Sequence, residues 1–572
     1  MQSRFRSGFL PGASILAAGL SVFGVADVSA QAVPGSVEPG RVERGLKEPP
    51  APRSQPRPVV PLVADQLAPK DAAGVTFRFE RLVIEGNGSM PTRALAGLWK
   101  HRPGDQVSID EVFALANEMT RLYSESGYVL CFAVVPKQEI KDGVVRIAIV
   151  EGFVSAIDLS GPPPGGLAGR AAAAQATRIR LDVPLRSAVL ERSLLLMDDL
   201  PGWSATAVLN PDPRVLGGSA LAVRFAPEPW SAEASWSSFL PKGLGRSVLG
   251  ANLSVFDLAD ASDQLSVGLY ASPGSNAYRS ASLGYNLLAG TDGQRLGLSF
   301  SQSDSRPQDA VLLPLEYRGI SRNTRLTYTY PLRRNRASTI NLEAFLGALE
   351  STSSMSTGTP TCDRLRTAGL SLDFDFASED RSTTLVRLGV EQGFRGLGAT
   401  GNSRENGRID FTALTIDWTR NAPIGSLGSG MFSYSLAAQG QGSLAGSMLS
   451  PSESSFGGRQ FGRFFDSGSM SGEHGLYASL ELRYGAPIPV GLAEPVGTQL
   501  FAFVDGGVVR QRGGLQPQEV RQRHASSVGF GVRLGLPAGM NALVEFSHPV
   551  SVPEGYTGDR GERINGSFGV RF

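Results

Sequence analysis

The last ten residues, Arg563-Ile-Asn-Gly-Ser-Phe-Gly-Val-Arg-Phe572, put Ile564, Phe568, Val570 and Phe572 on one face of a strand and Arg563, Asn565, Ser567 and Arg571 on the other. Successive strand side chains point to opposite sides, so such a segment needs an apolar medium on one side and water on the other. A lipid-facing, water-backed strand of an outer-membrane barrel meets that condition. The pattern recurs from about Ala232 onward. Leu326, Tyr328, Tyr330 and Leu332 alternate with Arg325, Thr327 and Thr329, and Leu476, Ala478, Leu480 and Leu482 with Tyr477, Ser479, Glu481 and Arg483. Val528, Phe530, Val532 and Leu534 alternate with Gly529, Gly531, Arg533 and Gly535. Divided at its turn signals, the region yields about sixteen strands of roughly ten residues, the length a tilted strand needs to cross a bilayer. Some connections are tight (Thr291-Asp-Gly293, Pro537-Ala-Gly539) and others long (Pro451 to Glu473, Arg512 to His524), the asymmetry between the rims of a barrel. A soluble sandwich or propeller would have shorter strands and similar turns at both ends.

Composition conceals this. With 41% apolar residues the chain scores as soluble, because polar lumen residues dilute the lipid-facing ones. A net charge of +1 supplies no general field for phosphates, which argues against nucleic acid as a partner. The 69 glycines sit mostly in alternating segments and turns, as strand-rich chains use them.

The N-terminus predicts export. Arg4 and Arg6 precede an apolar stretch from Ile15 to about Val25, and Val28-Ser29-Ala30 offers a cleavage site, so residues 1–30 read as a signal peptide. No later segment has the 18 or more consecutive apolar residues of a spanning helix, so strands must make any crossing. Residues 31–74 read as a proline-rich extended linker, in which Arg41 to Lys47 forms either a short helix or a disordered tail. Two cysteines, Cys131 and Cys362, are too few for a disulfide scaffold and are assigned no bond and no catalytic role; Cys131 is expected in a strand and Cys362 in an outer loop.

Two small α+β modules separate linker and barrel. In the first (75–153), Phe77 to Glu85 reads as a strand and Pro91 to His101 as a short helix. Ser108-Ile-Asp-Glu111 is a capping box opening a second helix, and strands follow at Val129 to Val135 and Val144 to Val150, joined across Asp142-Gly143. In the second (154–228), Ala171 to Ala176 is helical by propensity, a leucine-rich helix runs from roughly Leu185 to Met197, and strands lie around Trp203 to Leu209 and Ala220 to Phe225. The remainder, 229–572, is the barrel.

These features resemble the two-partner secretion transporters, the haemolysin and filamentous-adhesin secretion-activation proteins of the Omp85 superfamily, in which two POTRA modules precede a sixteen-strand barrel. The likeness is carried by Ser126-Gly-Tyr-Val129, Asp142-Gly143 and Val150-Glu-Gly152 in the first module and Leu190 to Gly202 in the second. In the barrel it is carried by Phe456 to Asp466 and Phe503-Val-Asp-Gly-Gly507. The resemblance implies that Pro451 to Glu473, between strands eleven and twelve, is a loop folded back into the lumen. Its Gly462-Arg463-Phe464-Phe465 matches the family's Val-Arg-Gly-Tyr type motif, with Phe464 where a glycine is usual. It further implies a partner motif on strand thirteen, namely Phe503, Asp505 and Gly507. Period two independently turns Asp505 into the lumen with Phe501 and Phe503. Arg463 then needs a carboxylate, with Asp505 the first candidate and Glu481 the second. Phe572 resembles the terminal signal read by the outer-membrane assembly machinery.

The resemblance implies a Gram-negative outer-membrane pore, with periplasmic N-terminal modules, that recognises and translocates a large unfolded partner exoprotein. Its other partners would be the assembly machinery and outer-membrane lipid. An Omp85-type insertase for other barrels is the alternative; a diffusion porin has no use for the modules. No Walker-type loop, Gly-x-Ser-x-Gly elbow or paired catalytic carboxylates stand out, and His101, His474, His524 and His548 have no metal spacing, so neither an enzyme nor a cofactor is expected.

Overall fold

The protein is described by a computed structural model at residues 35–46, 52, 54, 65–70, 72–161, 164–356, 358–489, 495–512, 515 and 520–572. The expected signal peptide and most of the proline-rich linker lie outside these residues. Ahead of the modules, Pro39–Leu46 is a helix, α1.

The first module runs β1 (Thr76–Arg78), β2 (Arg81–Glu85), α2 (Thr92–Ala96), β3 (Gln106–Ser108), α3 (Ile109–Glu125), β4 (Phe132–Val134) and β5 (Val144–Val150), with sheet order β2-β5-β4 and a separate β1-β3 pair. The capping box forms in full: the Ser108 Oγ accepts from the Glu111 amide, and the Glu111 carboxylate accepts from the Ser108 amide. Those bonds, the backbone one first, hold the Glu111 carboxyl below its ordinary range. Val112, Leu115, Ala116, Met119 and Tyr123 turn the buried stripe of α3 onto the sheet.

Three expectations need correction in this module. The single strand at Phe77 to Glu85 is broken, because the chain changes partners: the Phe79 amide donates to Asp105 O and the Glu80 and Arg81 amides to Gly143 O. The helix from Pro91 is shorter, ending at the Gly97 cap. Cys131 lies just ahead of β4, where its amide donates to Tyr128 O in a turn; burial pushes its thiol up to about 11 and keeps it inert.

The second module runs β6 (Phe153–Ser160), α4 (Gly166–Leu181), α5 (Ser187–Asp198), β7 (Trp203–Pro211) and β8 (Gly218–Pro227), with sheet order β6-β8-β7. Its core of Ile179, Leu185, Met197, Leu221, Val223 and Phe225 takes in Leu288 from the barrel. Polar contacts reinforce that joint. Asp199 receives Arg334 Nε and Nη2 at 2.7 and 2.9 Å, Arg192 donates to Pro331 O at 2.9 Å, and Gln175 donates to Thr291 O at 2.6 Å.

The barrel strands are β9 (Trp230–Ser237), β10 (Val248–Phe256), β11 (Gln264–Ala271), β12 (Tyr278–Leu288), β13 (Arg295–Ser305), β14 (Arg318–Arg334), β15 (Ser338–Ser354), β16 (Thr361–Ala377), β17 (Thr383–Gly393), β18 (Thr412–Leu427) and β19 (Gly430–Ala445). A hairpin of β20 (Ser454–Phe456) and β21 (Met470–Gly472) interrupts the wall, which resumes with β22 (His474–Ile488), β23 (Val496–Arg510), β24 (Gln522–Leu536), β25 (Met540–Ser551) and β26 (Arg563–Arg571). Sixteen of them form one closed antiparallel barrel, sealed where β26 meets β9. Leu476, Leu480 and Leu482 are exposed on the outer face of β22 while Tyr477, Ser479 and Glu481 are buried on its inner face, the arrangement a lipid exterior and a filled lumen require. On β26, Ile564 and Phe568 point out and Arg563, Asn565 and Ser567 point in.

Several strands are longer than expected: β14, β15 and β16 have 17 residues each, because pairing continues past the bilayer toward the loop rim. Cys362 therefore lies in β16, opposite Thr352, and not in a loop. By the same extension the long connection expected to run to His524 ends where β24 begins at Gln522.

Candidate functional site

The connection between β19 and β22 folds into the lumen. Its β20-β21 hairpin anchors the base, and Phe456, Phe461, Phe464, Phe465 and Met470 pack with Tyr477 and Val509 of the wall. The tip is a tight turn in which the Phe465 amide donates to Gly462 O at 2.7 Å. Gly462 has φ +67°, and an added Cβ would lie 2.4 Å from the Phe456 ring, so both conformation and space demand glycine. Phe464 is not among the positive-φ residues, which is why the turn tolerates a side chain after the arginine. Gly507 of β23 makes room from the other side: a Cβ there would meet the same Phe456 ring at 2.5 Å.

This turn aims Arg463 into a nest of inward-facing carboxylates. Asp505 Oδ2 accepts from the Arg463 backbone amide at 3.0 Å and from Nε at 3.2 Å, while Oδ1 accepts from Nη2 at 3.3 Å. Nη1 reaches Glu481 Oε2 at 2.7 Å and Nη2 the Ser479 hydroxyl at 3.1 Å; that hydroxyl donates to Asp505 Oδ1 at 2.7 Å. The guanidinium carbon lies 3.6 Å from the centre of the Phe503 ring, a cation–π contact. Glu481 also receives Arg533 and Arg483, each at 2.6 Å, and Glu545 stands 3.9 Å from Arg463 Nη1. Three guanidiniums thus face three carboxylates, which balances the buried charge.

The tip carbonyls are held from β26. Asn565 Nδ2 donates to Arg463 O at 3.2 Å, and Arg563 Nη1 donates to Phe464 O at 2.9 Å and to Asp466 at 2.7 Å. A cavity of about 820 Å³, lined in part by Arg459, Arg463, Arg533 and Glu545, opens beside the tip.

The second occupant of the lumen is α1. Arg41 forms ion pairs with Glu38 at 2.6 Å and Glu453 at 3.1 Å and donates to Ser450 O at 2.6 Å. Glu453 also accepts from Arg404 at 2.7 Å and from Gln511 at 2.9 Å, so helix, hairpin base and two further loops meet on one carboxylate. Gly45 approaches so closely that a Cβ would lie 2.1 Å from the Ser467 hydroxyl. The Ser467 hydroxyl donates to Arg41 O, and Val37 O accepts from Ser305 of the wall at 2.6 Å. Farther along, the Ser54 amide donates to Asp375 on β16 at 3.0 Å.

Sequence reasoning named Arg463, Asp505, Glu481, Phe503 and Gly507, and these come together. Phe464 and Phe465 follow Arg463 in the same turn, their rings edge to face with centroids 5.1 Å apart. Phe572 lies apart, exposed at the β26–β9 seam, exchanging backbone hydrogen bonds with Ala232. Glu545, Asn565, Arg533 and the whole Glu453 cluster were missed. Period two marks the first three as inward, but nothing local signals that Glu38, Arg41 and Glu453 meet. Among the described residues, no group of histidine, cysteine and carboxylate side chains is arranged to hold a metal.

Residues 217–534 match the family described as haemolysin secretion/activation protein ShlB/FhaC/HecB, and residues 77–152 match the ShlB-type POTRA domain. The heme/hemopexin transporter protein HuxB of Haemophilus influenzae is 26% identical over 234 residues, 40% of this chain and 41% of that protein; the match thus spans about two fifths of the relative. CdiB from Escherichia coli has a similar fold, with a TM-score of 0.69 at 17% identity over 91% of this chain and 94% of that one. CdiB from Acinetobacter baumannii follows with a TM-score of 0.59 at 16% identity, covering 91% and 95% of the two chains.

Proposed function

We propose, for a chain that belongs to the ShlB/FhaC/HecB family of haemolysin secretion/activation proteins, that its barrel passes one large unfolded exoprotein from periplasm to cell surface through a lumen unblocked for each passage. The barrel is an outer-membrane one with periplasmic POTRA modules. The observation that carries the reading is the nature of the filling. The lumen holds α1 and the β20-β21 loop, and beside the loop's apolar packing on the wall a network of buried charges and hydrogen bonds joins loop to wall through Arg463 and helix to loop through Arg41. Apolar packing would serve stability equally well. A charge network, unlike it, can exchange its partners for water and polar chain as the pore hydrates.

The modules supply the receiving step. β7 is an edge of its sheet, with Val208 exposed, and β4 an edge of the other. Extended chain can add to such edges through main-chain hydrogen bonds. The signal peptide of residues 1–30 would bring the chain to the periplasm, and the assembly machinery and outer-membrane lipid would be its biogenesis partners. In this scheme Arg463, held by Asp505 and Glu481, keeps the loop docked between passages. An insertase role is the weaker alternative, since the matching family is one of secretion and activation.

The test is secretion of a long exported partner protein, to be sought in the reading frames beside this one. Cells carrying the transporter should release it into the medium, and cells lacking the transporter should retain it in the periplasm. Release without the transporter would refute the proposal.

A further inference from the structure

The outer surface of β12 to β16 changes character toward the extracellular end. Around its middle, large apolar side chains, among them Leu326, Tyr328, Leu346 and Leu370, border Ala344 and Ala368, and the small residues leave a furrow of about 510 Å³. Nearer the loops the same outward faces carry Arg279 on β12, Arg318 and Arg322 on β14, and Arg364 and Arg366 on β16. Arg322 lies four residues above Leu326 on its strand, and Arg366 two above Ala368.

Among the described residues, two carboxylates lie on these outward strand faces. Asp304 receives Arg318 at 2.7 Å and Arg306 at 3.3 Å, and Glu350 receives Arg366 at 3.0 Å. Arg322 donates to the neutral Gln302 at 2.9 Å, and Arg364 has no side-chain partner among the described residues. The corresponding outward ends of β18, β19 and β22 to β26 carry a single arginine, Arg510. The surplus positive charge therefore belongs to one side of the barrel, at the level of the outer-leaflet headgroups.

We propose that this face binds a phosphorylated, multiply acylated glycolipid of the outer leaflet, with its phosphates on Arg318, Arg322 and Arg364 and an acyl chain in the Ala344/Ala368 furrow. Guanidinium forks match phosphate oxygens bidentately. Clustered basic residues beside an apolar surface are the recognisable form of lipid-headgroup recognition. The width of the site selects the headgroup. Its phosphate-binding arginines stand on β14 and β16, two strand spacings or roughly 10 Å apart, more than one phosphodiester reaches but within the span of two phosphates on opposite ends of an acylated sugar backbone.

The full-length protein, purified in detergent, would be titrated with hexa-acyl diphosphoryl lipid A, with phosphatidylglycerol and with inorganic phosphate, and binding read by native mass spectrometry. The proposal expects lipid A to bind more tightly than both comparators. The triple variant Arg318→Gln/Arg322→Gln/Arg364→Gln should weaken its binding by at least about tenfold. Ala368→Trp, which fills the furrow and leaves every arginine in place, should also weaken it. Heat-modifiability identifies folded barrels, and should the triple variant not fold, Ala368→Trp decides alone. Unchanged lipid A binding by either folded variant would overturn the proposal. So would phosphatidylglycerol binding as tightly, which would make the patch a general anionic-lipid surface, or inorganic phosphate binding as tightly, which would leave the furrow without a role.

Discussion

Arg463 is the residue on which the lumenal loop depends. It donates through its backbone and three side-chain nitrogens, and its removal would strand Asp505 and Glu481 in a buried site. Breaking such a pair costs about 3 to 5 kcal/mol, enough to release the loop while leaving the barrel wall, whose ladders do not involve it. Arg463→Ala is expected to insert normally and to fail in secretion, measured as passenger in the supernatant at matched levels of inserted transporter. Arg463→Lys should not restore it, since an ammonium cannot span Asp505 and Glu481 with the Ser479 hydroxyl. Asp505→Asn should produce a milder loss, because the amide keeps hydrogen-bonding capacity. Gly507 belongs to the same site by absence of a side chain. Gly507→Val would drive a methyl group into Phe456, and limited proteolysis should then cut the 457–469 segment faster than in the parent.

Among the elements, α1 is an eight-residue helix, too short to persist by itself, so its order comes from the lumen around it. Arg41 ties it to Glu453, and Arg41→Ala would leave that carboxylate to Arg404 and Gln511. The expected outcome is a helix that leaves more often and a barrel with higher and noisier conductance in planar bilayers. Unaltered conductance would separate the helix from the blocking of the pore. Helix α3 differs in kind, because its start is written locally in Ser108 and Glu111. The Glu111 carboxyl is held low in the folded chain, so its contribution is present above the carboxyl's unfolded pKa and is lost as pH falls through the lower folded value. Amide exchange at the start of α3 should accelerate across that acidic window in the parent, and Glu111→Gln should flatten the dependence. This contrast explains what could be read in advance. Sixteen strands, the capping box and the inward face of Asp505 are matters of period and local spacing. The break at Phe79 and the Arg41–Glu453 contact are not, because each rests on a partner far away in the chain.

At the scale of the whole molecule, the receiving modules and the pore must be coupled, and the joint between them is specific. The second module meets the short-turn rim through Asp199, which holds Arg334 by two hydrogen bonds, while Arg295 donates to the Asp199 carbonyl. Leu288 of the barrel completes the module's own core. The Arg334 side chain is 10% exposed, so its pairing with Asp199 is shielded from solvent on one side and exceeds an ordinary surface ion pair. Asp199→Arg would set like charges against each other there. The module would still fold, since its core of Met197, Leu221 and Phe225 is untouched, but its angle to the barrel mouth would no longer be held. Spin labels on α4 and on the 378–382 turn should report a broadened distance distribution in nanodiscs, and secretion should fall while the isolated module retains its affinity for unfolded passenger. A narrow, parent-like distribution with impaired secretion would place the defect in Asp199 itself and remove orientation from the mechanism. Adding Arg334→Asp to Asp199→Arg restores opposite charges in swapped positions, and recovery of both readouts in that double variant would assign the effect to the joint.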